Sequence, residues 1–341
     1  MIGPMLDTLR ELSLLPGVSG REDAVRDYII DKASALADDI NVTPTGSVIA
    51  FKKGAEKPRK KIMLAAHMDE VGLIATSITE AGLLKFDTVG WINPAVLPGR
   101  TMLCGETGFP GVIGLVPIHL AKDGEEGKAP KASSLYIDVG AREKAEAAKR
   151  VRPGDACVFD TSFEKFGDGL LKGKALDDRA GCAVLLDILG RDLPCDVWFT
   201  FTAMEEVGLR GAGSAAYAVS PEIAIVVEAT TAADIPGVEP EKRVCRVGGG
   251  AVVGFMDNGA VYDRALYDTA FRVAKEKNIP IQVKAAVSGA NDAGAISRSG
   301  GGVRTIAVNL PCRYLHSPAS VIAESDLDAV TELVVGMIGR G

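Results

Sequence analysis

The segment Lys61-Ile-Met-Leu-Ala-Ala-His67-Met-Asp69-Glu-Val-Gly72 constrains the fold more than any other stretch of this chain. Ile62 to Ala66 is an unbroken apolar run of strand length, closed by a polar cluster and a glycine. Such a run predicts a central strand of a parallel sheet, buried on both faces. Open α/β sheets place their sites just past the C-terminal ends of such strands, which is where His67 and Asp69 stand. A His-x-Asp pair suits metal binding, because one ring nitrogen can meet the ion while a carboxylate accepts the other N–H and fixes the ring. A buried histidine simply hydrogen-bonded to aspartate reads the same way. The choice depends on whether other strands deliver matching ligands.

The rest of the chain supplies the sheet. Ser19-Gly-Arg-Glu22 before Val25, Tyr28, Ile29, Ala33 and Leu36 has the pattern of a capping box opening an amphipathic helix. Val48 to Phe51 reads as a strand. From Gly72 to about Phe166 the texture changes to short β-type runs (Leu73–Ile78, Leu83–Val89, Thr101–Cys104, Phe109–Ile113, Ser134–Val139, Ala156–Asp160) separated by glycine and proline, with one helical patch at Arg142–Arg150. That pattern predicts a small β-barrel or sandwich. Beyond Gly173, helices and strands alternate again: Gly181–Leu189, Val197–Ala203, Gly211–Tyr217, Ile223–Val227, Asp263–Lys277, Ile281–Val283, Thr305–Leu310 and Ser325–Ile338. Alternation of this kind implies a doubly covered, mostly parallel sheet. At 341 residues the chain is too long for one small core. The expected division is an α/β catalytic domain in two parts, 1–72 and 167–341, with an inserted β-rich domain at 73–166.

Composition narrows the partners. A net charge of −7 disfavours nucleic acid and anionic lipid. No apolar run approaches the roughly 18 residues of a membrane span. The start lacks a basic segment followed by an apolar core, so it does not read as a secretory signal. The six cysteines show no C-x-x-C pairing and read as reduced, mostly buried packing residues of a cytoplasmic protein. With only three histidines, His67, His119 and His316, histidine-dependent chemistry has a short list to draw on. His119 falls in the β-rich block and reads as structural. Dinucleotide, P-loop and nucleophile-elbow glycine patterns are absent.

Four further sites carry ligand-type residues. Val197 to Ala203 leads through Met204 to Glu205-Glu206; Ile223 to Val227 ends on Glu228; Thr305 to Leu310 runs on to His316; and Asp177-Asp178 precede a buried helix. Each has an ordinary use alone: a solvated Glu pair, a helix cap, a paired sheet-end carboxylate, a loop histidine. Strand ends line one edge of a sheet, so His67, Asp177, Glu206, Glu228 and His316 can converge. Three carboxylates and two imidazoles suit two divalent ions about 3.5–4 Å apart with a bridging carboxylate. Adjacent Glu205 and Glu206 then fit a division between one ligand and one proton acceptor.

With those residues in view, the chain resembles the tetrahedral, or glutamyl (deblocking), aminopeptidase family of dinuclear metallopeptidases, some of whose members are labelled endoglucanases. The resemblance rests on Ala66-His67-Met-Asp69-Glu-Val-Gly72, Leu176-Asp177-Asp178-Arg179-Ala-Gly181, Glu205-Glu206-Val-Gly208-Leu-Arg-Gly211, Gly289-Ala-Asn-Asp292-Ala-Gly294 and Pro311-Cys-Arg313-Tyr314-Leu-His316-Ser317-Pro318. It implies that His67 and Glu228 hold one metal, Glu206 and His316 the other, with Asp177 bridging. The ions implied are Zn2+ or Co2+, two per subunit. It also implies Glu205 as general base, Asp69 as partner of His67, and a cis Asp177–Asp178 bond. Short peptides are the implied substrates. Self-association through the inserted domain, from dimer to tetrahedral dodecamer, is the implied assembly. Two departures stand out: Glu228 replaces a frequent aspartate, and Asn291 a frequent threonine, so the Gly289–Gly294 loop is given no catalytic role.

Three other functions compete. A dinuclear hydrolase of N-acyl amino acids or blocked peptides would need the same ligands. A glycoside hydrolase would want two free carboxylates, whereas most here are committed to metal. A non-catalytic binding module would have no use for Glu205 beside a full ligand set.

Overall fold

The computed structural model describes residues 2–57, 60–120 and 128–340. Two helices, α1 (Ile2–Leu14) and α2 (Asp23–Ser34), precede strands β1 (Asp39–Val42), β2 (Val48–Lys52) and β3 (Ile62–His67). Six strands follow with the small helix α3 among them: β4 (Gly72–Ile78), β5 (Leu84–Val89), β6 (Thr101–Cys104), β7 (Phe109–Gly114), β8 (Tyr136–Asp138), α3 (Lys144–Ala147) and β9 (Ala156–Phe159). The remainder is β10 (Glu164–Phe166), β11 (Leu170–Gly173), α4 (Leu176–Leu189), β12 (Val197–Thr202), α5 (Ala212–Val219), β13 (Ile223–Thr231), β14 (Ala251–Val253), α6 (Arg264–Lys277), β15 (Ile281–Val283), α7 (Ala293–Ile296), β16 (Arg304–Cys312), β17 (Ser320–Ala323) and α8 (Glu324–Ile338).

Eight strands make the main sheet in the order β1-β2-β12-β3-β13-β16-β14-β15. β12, β3, β13 and β16 are mutually parallel. All six residues of β3 are buried, because its apolar run lies between layers on both faces. The covering helix α4 packs on β3 and β13 and is buried along nearly its whole length. One hydrophobic core joins this sheet to α1, α2, α4, α5, α6 and α8. The fold is therefore the α/β class expected, a mostly parallel sheet covered on both sides.

Strands β4 to β9 close into a six-stranded barrel, order β4-β5-β8-β7-β6-β9, with its own core of Leu73, Leu84, Met102, Ile113, Ile137, Cys157 and Phe159. Glycine and proline punctuate these strands because each turn reverses a short antiparallel run. The barrel begins at Gly72, five residues after His67. A Cβ at Gly72 would collide with Val18 Cγ2, so only glycine lets the chain leave the sheet at that point. β10 pairs with β11 and β11 with β17, a small sheet outside the barrel.

Several local expectations change. Helix α1 adds to the expected elements: Met5, Leu9 and Leu12 are buried on it at the 3.6-residue period, facing α4. Leu36 lies past the end of α2 and is exposed. The helical patch near Arg142 shortens to one turn, Lys144–Ala147. β13 runs on to Thr231, so Glu228 is inside the strand rather than after it. Asn278 does end α6 in the left-handed conformation, φ 54°. All six cysteines are buried and unpaired. His119 is exposed in a short turn, Ile118–Leu120. No helix among the described residues is long and apolar enough to cross a membrane.

Candidate metal centre

Four parallel strands end together, and the site is built at that edge. β3 closes on His67, which pairs directly across to Thr202, the last residue of β12. β12 then hands the chain to Met204-Glu205-Glu206. Pairing of β13 with β3 stops at Val226↔Ala65, although both strands continue, so a crevice opens between them. Glu228, two residues further on, faces His67 across that crevice, Oε1 to Nε2 at 3.4 Å. Asp177 comes from the first turn of α4, where its backbone is non-helical (φ −89°, ψ 107°) and its bond to Asp178 is cis.

The two carboxylate oxygens of Asp177 part company. Oδ1 lies 3.2 Å from His67 Nε2 and Oδ2 lies 3.2 Å from His316 Nε2. Glu206 Oε2 is 3.2 Å from His316 Nε2 in turn. The result is one central carboxylate between two imidazoles, each flanked by a further glutamate. The five residues singled out from the sequence, His67, Asp177, Glu206, Glu228 and His316, are thus brought together.

The donors fit divalent cations. Glu206 Oε1 is buried without a hydrogen-bond partner, and an orphaned buried carboxylate oxygen is costly unless a cation meets it. Donor atoms of His67, Asp177 and Glu206 lie within 4.8 Å of one another, as do those of His67, Asp178 and Glu228. Asp178 is already occupied: its oxygens accept the N–H groups of Gly181 at 2.9 Å and His67 at 3.3 Å. It keeps the helix-capping use, and Asp177 meets the two imidazoles.

The electrostatics are those of a buried, crowded anionic cluster. Burial, with Asp177 adding to it, pushes the Glu206 carboxyl up to about 8. Burial does the same for Glu228, also to about 8. Against the burial that opposes their charge, the surrounding carboxylates hold His67 well above its ordinary value and His316 at about 9. Without ions, these groups share protons instead. Glu205 is raised well above the usual carboxylate range by burial and by Glu228, Asp292 and Glu206. Its side chain makes no hydrogen bond among the described residues, so nothing else claims it.

Asp69 does more than attend the imidazole. Its Oδ1 is 3.4 Å from His67 Nδ1, while that nitrogen is closer, 3.2 Å, to the Asp69 carbonyl oxygen. The Asp69 carboxylate accepts the backbone N–H groups of Glu205 (2.9 Å) and Glu206 (3.0 Å) and the Ser19 hydroxyl (2.6 Å). His316 sits on a loop with left-handed residues at Tyr314 and His316. The Arg313 guanidinium anchors that loop by a two-pronged pair to Asp234, both contacts 2.7 Å. Behind the site, Arg179, fully buried, donates to the carbonyls of Met68, Leu12 and Leu15 and to Glu70, tying the turn after β3 to α1.

Two residues escaped the sequence reading. Asp292, in the loop given no role, is buried beside the site and bonded to the Thr202 hydroxyl, with its Oδ1 unpartnered. Glu22 has the spacing of a capping box, but no side chain caps α2; Glu22 reaches the Met204 N–H instead, at 3.0 Å. The S-x-x-E pattern is local, whereas both contacts of Ser19 and Glu22 at the site are made across the fold. No local signal separates the two uses.

Residues 46–333 match the family model of M42 glutamyl aminopeptidases. The chain is 31% identical over 341 residues to the lysyl aminopeptidase of Pyrococcus furiosus, covering 97% of this chain and 96% of that one. The solved aminopeptidase of the archaeon Desulfurococcus kamchatkensis shares the fold at a TM-score of 0.95 and 33% identity, covering 100% of this chain and 96% of that one. The TET1 peptidase of Pyrococcus horikoshii, which can assemble into a tetrahedron or a large octahedral shell, matches at a TM-score of 0.86 and 32% identity, covering 97% of this chain and 98% of that one.

Proposed function

The chain belongs to the M42 glutamyl aminopeptidase family and is an aminopeptidase, and on that premise we propose that it removes N-terminal residues from short peptides with two divalent ions and Glu205 as general base. The observation that carries the proposal is the split of the Asp177 oxygens between His67 and His316, 3.2 Å on each side. In this reading His67 and Glu228 would hold one ion and Glu206 and His316 the other, with Asp177 shared between them. When bound, such a pair acidifies a water and polarises the scissile carbonyl.

The remaining work falls to side chains. Glu205 takes the proton of the attacking water and passes it to the departing amine. Its side chain makes no hydrogen bond among the described residues, which leaves it available for both transfers. Asp69 holds the Glu205 and Glu206 backbone and so fixes both carboxylates relative to His67. The Arg313–Asp234 pair does the same for the His316 loop.

A panel of aminoacyl chromogenic substrates, run beside N-acylated counterparts, tests the substrate class. Unblocked aminoacyl substrates are expected to be cleaved and acylated ones left intact, and the panel names the preferred first residue. Cleavage of the acylated set alone would replace this reading with a deacylase.

The barrel is proposed as the assembly surface. Trp91 is 86% and Leu120 65% exposed, and Val112, Leu115 and Val116 are exposed as well, apolar side chains of the inserted segment that an assembly contact would cover. Light scattering at micromolar concentration is expected to give a particle larger than a dimer, with the dodecamer as its limit. A monomer at that concentration would contradict it. The unpaired buried thiols fit a reducing compartment, the cytoplasm.

A further inference from the structure

The loop that presents Glu205 and Glu206 is held in an unusual way. β12 ends at Thr202, and Met204 adopts a left-handed backbone, φ 57°, rare for a residue with a side chain. The loop then closes on itself through Gly208 N–H to Glu205 O (2.9 Å) and Gly211 N–H to Ala203 O (2.9 Å). Three consecutive N–H groups, those of Met204, Glu205 and Glu206, point at carboxylates. Glu22 Oε1 accepts the first at 3.0 Å, and Asp69 accepts the second at 2.9 Å and the third at 3.0 Å. Successive N–H groups turned to one side form a concavity for anions. Here the anions are the chain's own.

Both carboxylates lead back to one turn. Ser19 donates its hydroxyl to Asp69 at 2.6 Å, and Glu22 Oε1 also accepts the Gly20 N–H at 2.8 Å. Glu22 is only 8% exposed, and Asp69 is fully buried close by. Two neighbouring buried carboxylates repel, and each must be satisfied by donors to be tolerated. A helix start would be served as well by an exposed serine or asparagine, and Glu22 gives α2 no side-chain bond at all. What the buried carboxylate does secure is the Met204 N–H, 182 residues along the chain.

We propose that Glu22 is a positioning residue for peptide hydrolysis: by holding the Met204 N–H it sets the loop from which Glu205 reaches the water. This rests on Glu205 being the base. It differs from the part played by Asp69, which touches both His67 and the loop, because Glu22 bonds to the loop and to its own turn at Gly20 but to none of the proposed metal ligands. The turn Ser19–Glu22 is thereby a clamp that couples the N-terminal segment to the catalytic edge.

The test compares Glu22→Ala with Glu22→Gln in the metal-loaded enzyme, whose metal content is measured for each variant. Lost supporting contacts of this kind cost about 10–100-fold, and Glu22→Ala is expected to lower kcat by that factor with KM and metal content unchanged. Glu22→Gln keeps an oxygen acceptor for both N–H groups and is expected to retain kcat within about threefold. Amide exchange measured on the metal-free protein supplies a readout independent of turnover: the peptide carrying residues 204–206 should lose protection in Glu22→Ala and keep it in Glu22→Gln. Unchanged protection in Glu22→Ala, unchanged kcat, or a Glu22→Gln as slow as Glu22→Ala would each overturn the clamp. Glu205→Gln separates the two claims. A fully active Glu205→Gln removes the base reading, while the exchange result still decides the clamp. If Glu22→Ala slows the residual turnover of Glu205→Gln as much as it slows the wild type, Glu22 does not act through Glu205.

Discussion

Stripping the protein with a chelator is expected to bring peptide cleavage to background, and about two equivalents of Zn2+ or Co2+ per chain to restore it. The expectation follows from the charge gathered at the strand ends. Glu228, His67, Asp177, His316 and Glu206 form a continuous chain of contacts, and Glu206 Oε1 is buried with no donor among the described residues. In the stripped protein the cluster keeps protons, since burial lifts Glu206 and Glu228 to about 8 and His316 stands at about 9. Ions bind the deprotonated groups, so reloading must expel those protons. The sign is fixed: affinity for the metal falls as pH drops through about 9 and then about 8, where His316 and then Glu206 and Glu228 take up protons, and His67, held well above its ordinary value, adds in the same direction. Calorimetric titration with Zn2+ at several pH values measures both the stoichiometry and the protons released. Full cleavage after exhaustive chelation would remove metal from the reaction. Saturation at one equivalent would remove the bridging role of Asp177.

The sequence disclosed this site because its parts obey one rule of sheets. β3, β12, β13 and β16 are almost wholly buried, so each carries a mostly apolar run, with Thr200 and Thr202 in β12 and Thr305 and Asn309 in β16 as buried polar exceptions. Being parallel, they end at one edge, and the polar residue after each run therefore belongs to a common site. The barrel was legible for a different reason, the glycine and proline demanded by tight turns between short antiparallel strands. Illegible residues are those whose use is decided across the fold. Ser19-x-x-Glu22 has the spacing of a capping box, and nothing nearby says that the hydroxyl goes to Asp69 and the carboxylate to Met204. Asp292 looked like any loop aspartate until Thr202 met it. Helix α1 carries a regular apolar face, but without β-strands around it the segment gave no sheet context in which to read it. The overrun of β13 past Glu228 depends on β16, which pairs with it as far as Thr231↔Cys312 and so extends the strand beyond its apolar part.

Replacing Glu205 by glutamine is expected to lower kcat about 10²–10⁴-fold, with both ions retained. The two adjacent glutamates are sorted by their contacts. Glu206 Oε2 lies 3.2 Å from His316, inside the ligand cluster, whereas the Glu205 side chain has no hydrogen bond among the described residues and belongs to neither group of close donors. Glutamine keeps the length and shape of the side chain and the backbone N–H that Asp69 accepts, but it cannot take up a proton. Loss of the proton acceptor should leave binding nearly intact, so the fall appears in kcat with KM little changed. Glu206→Gln should fail differently: its neutral oxygen is a poor metal donor, and metal content drops along with activity. Metal analysis and steady-state kinetics on the two variants separate these outcomes. A Glu205→Gln enzyme with wild-type kcat would sink the assignment. Were Glu205→Gln to lose metal while Glu206→Gln kept it, the roles of the neighbours would have to be exchanged.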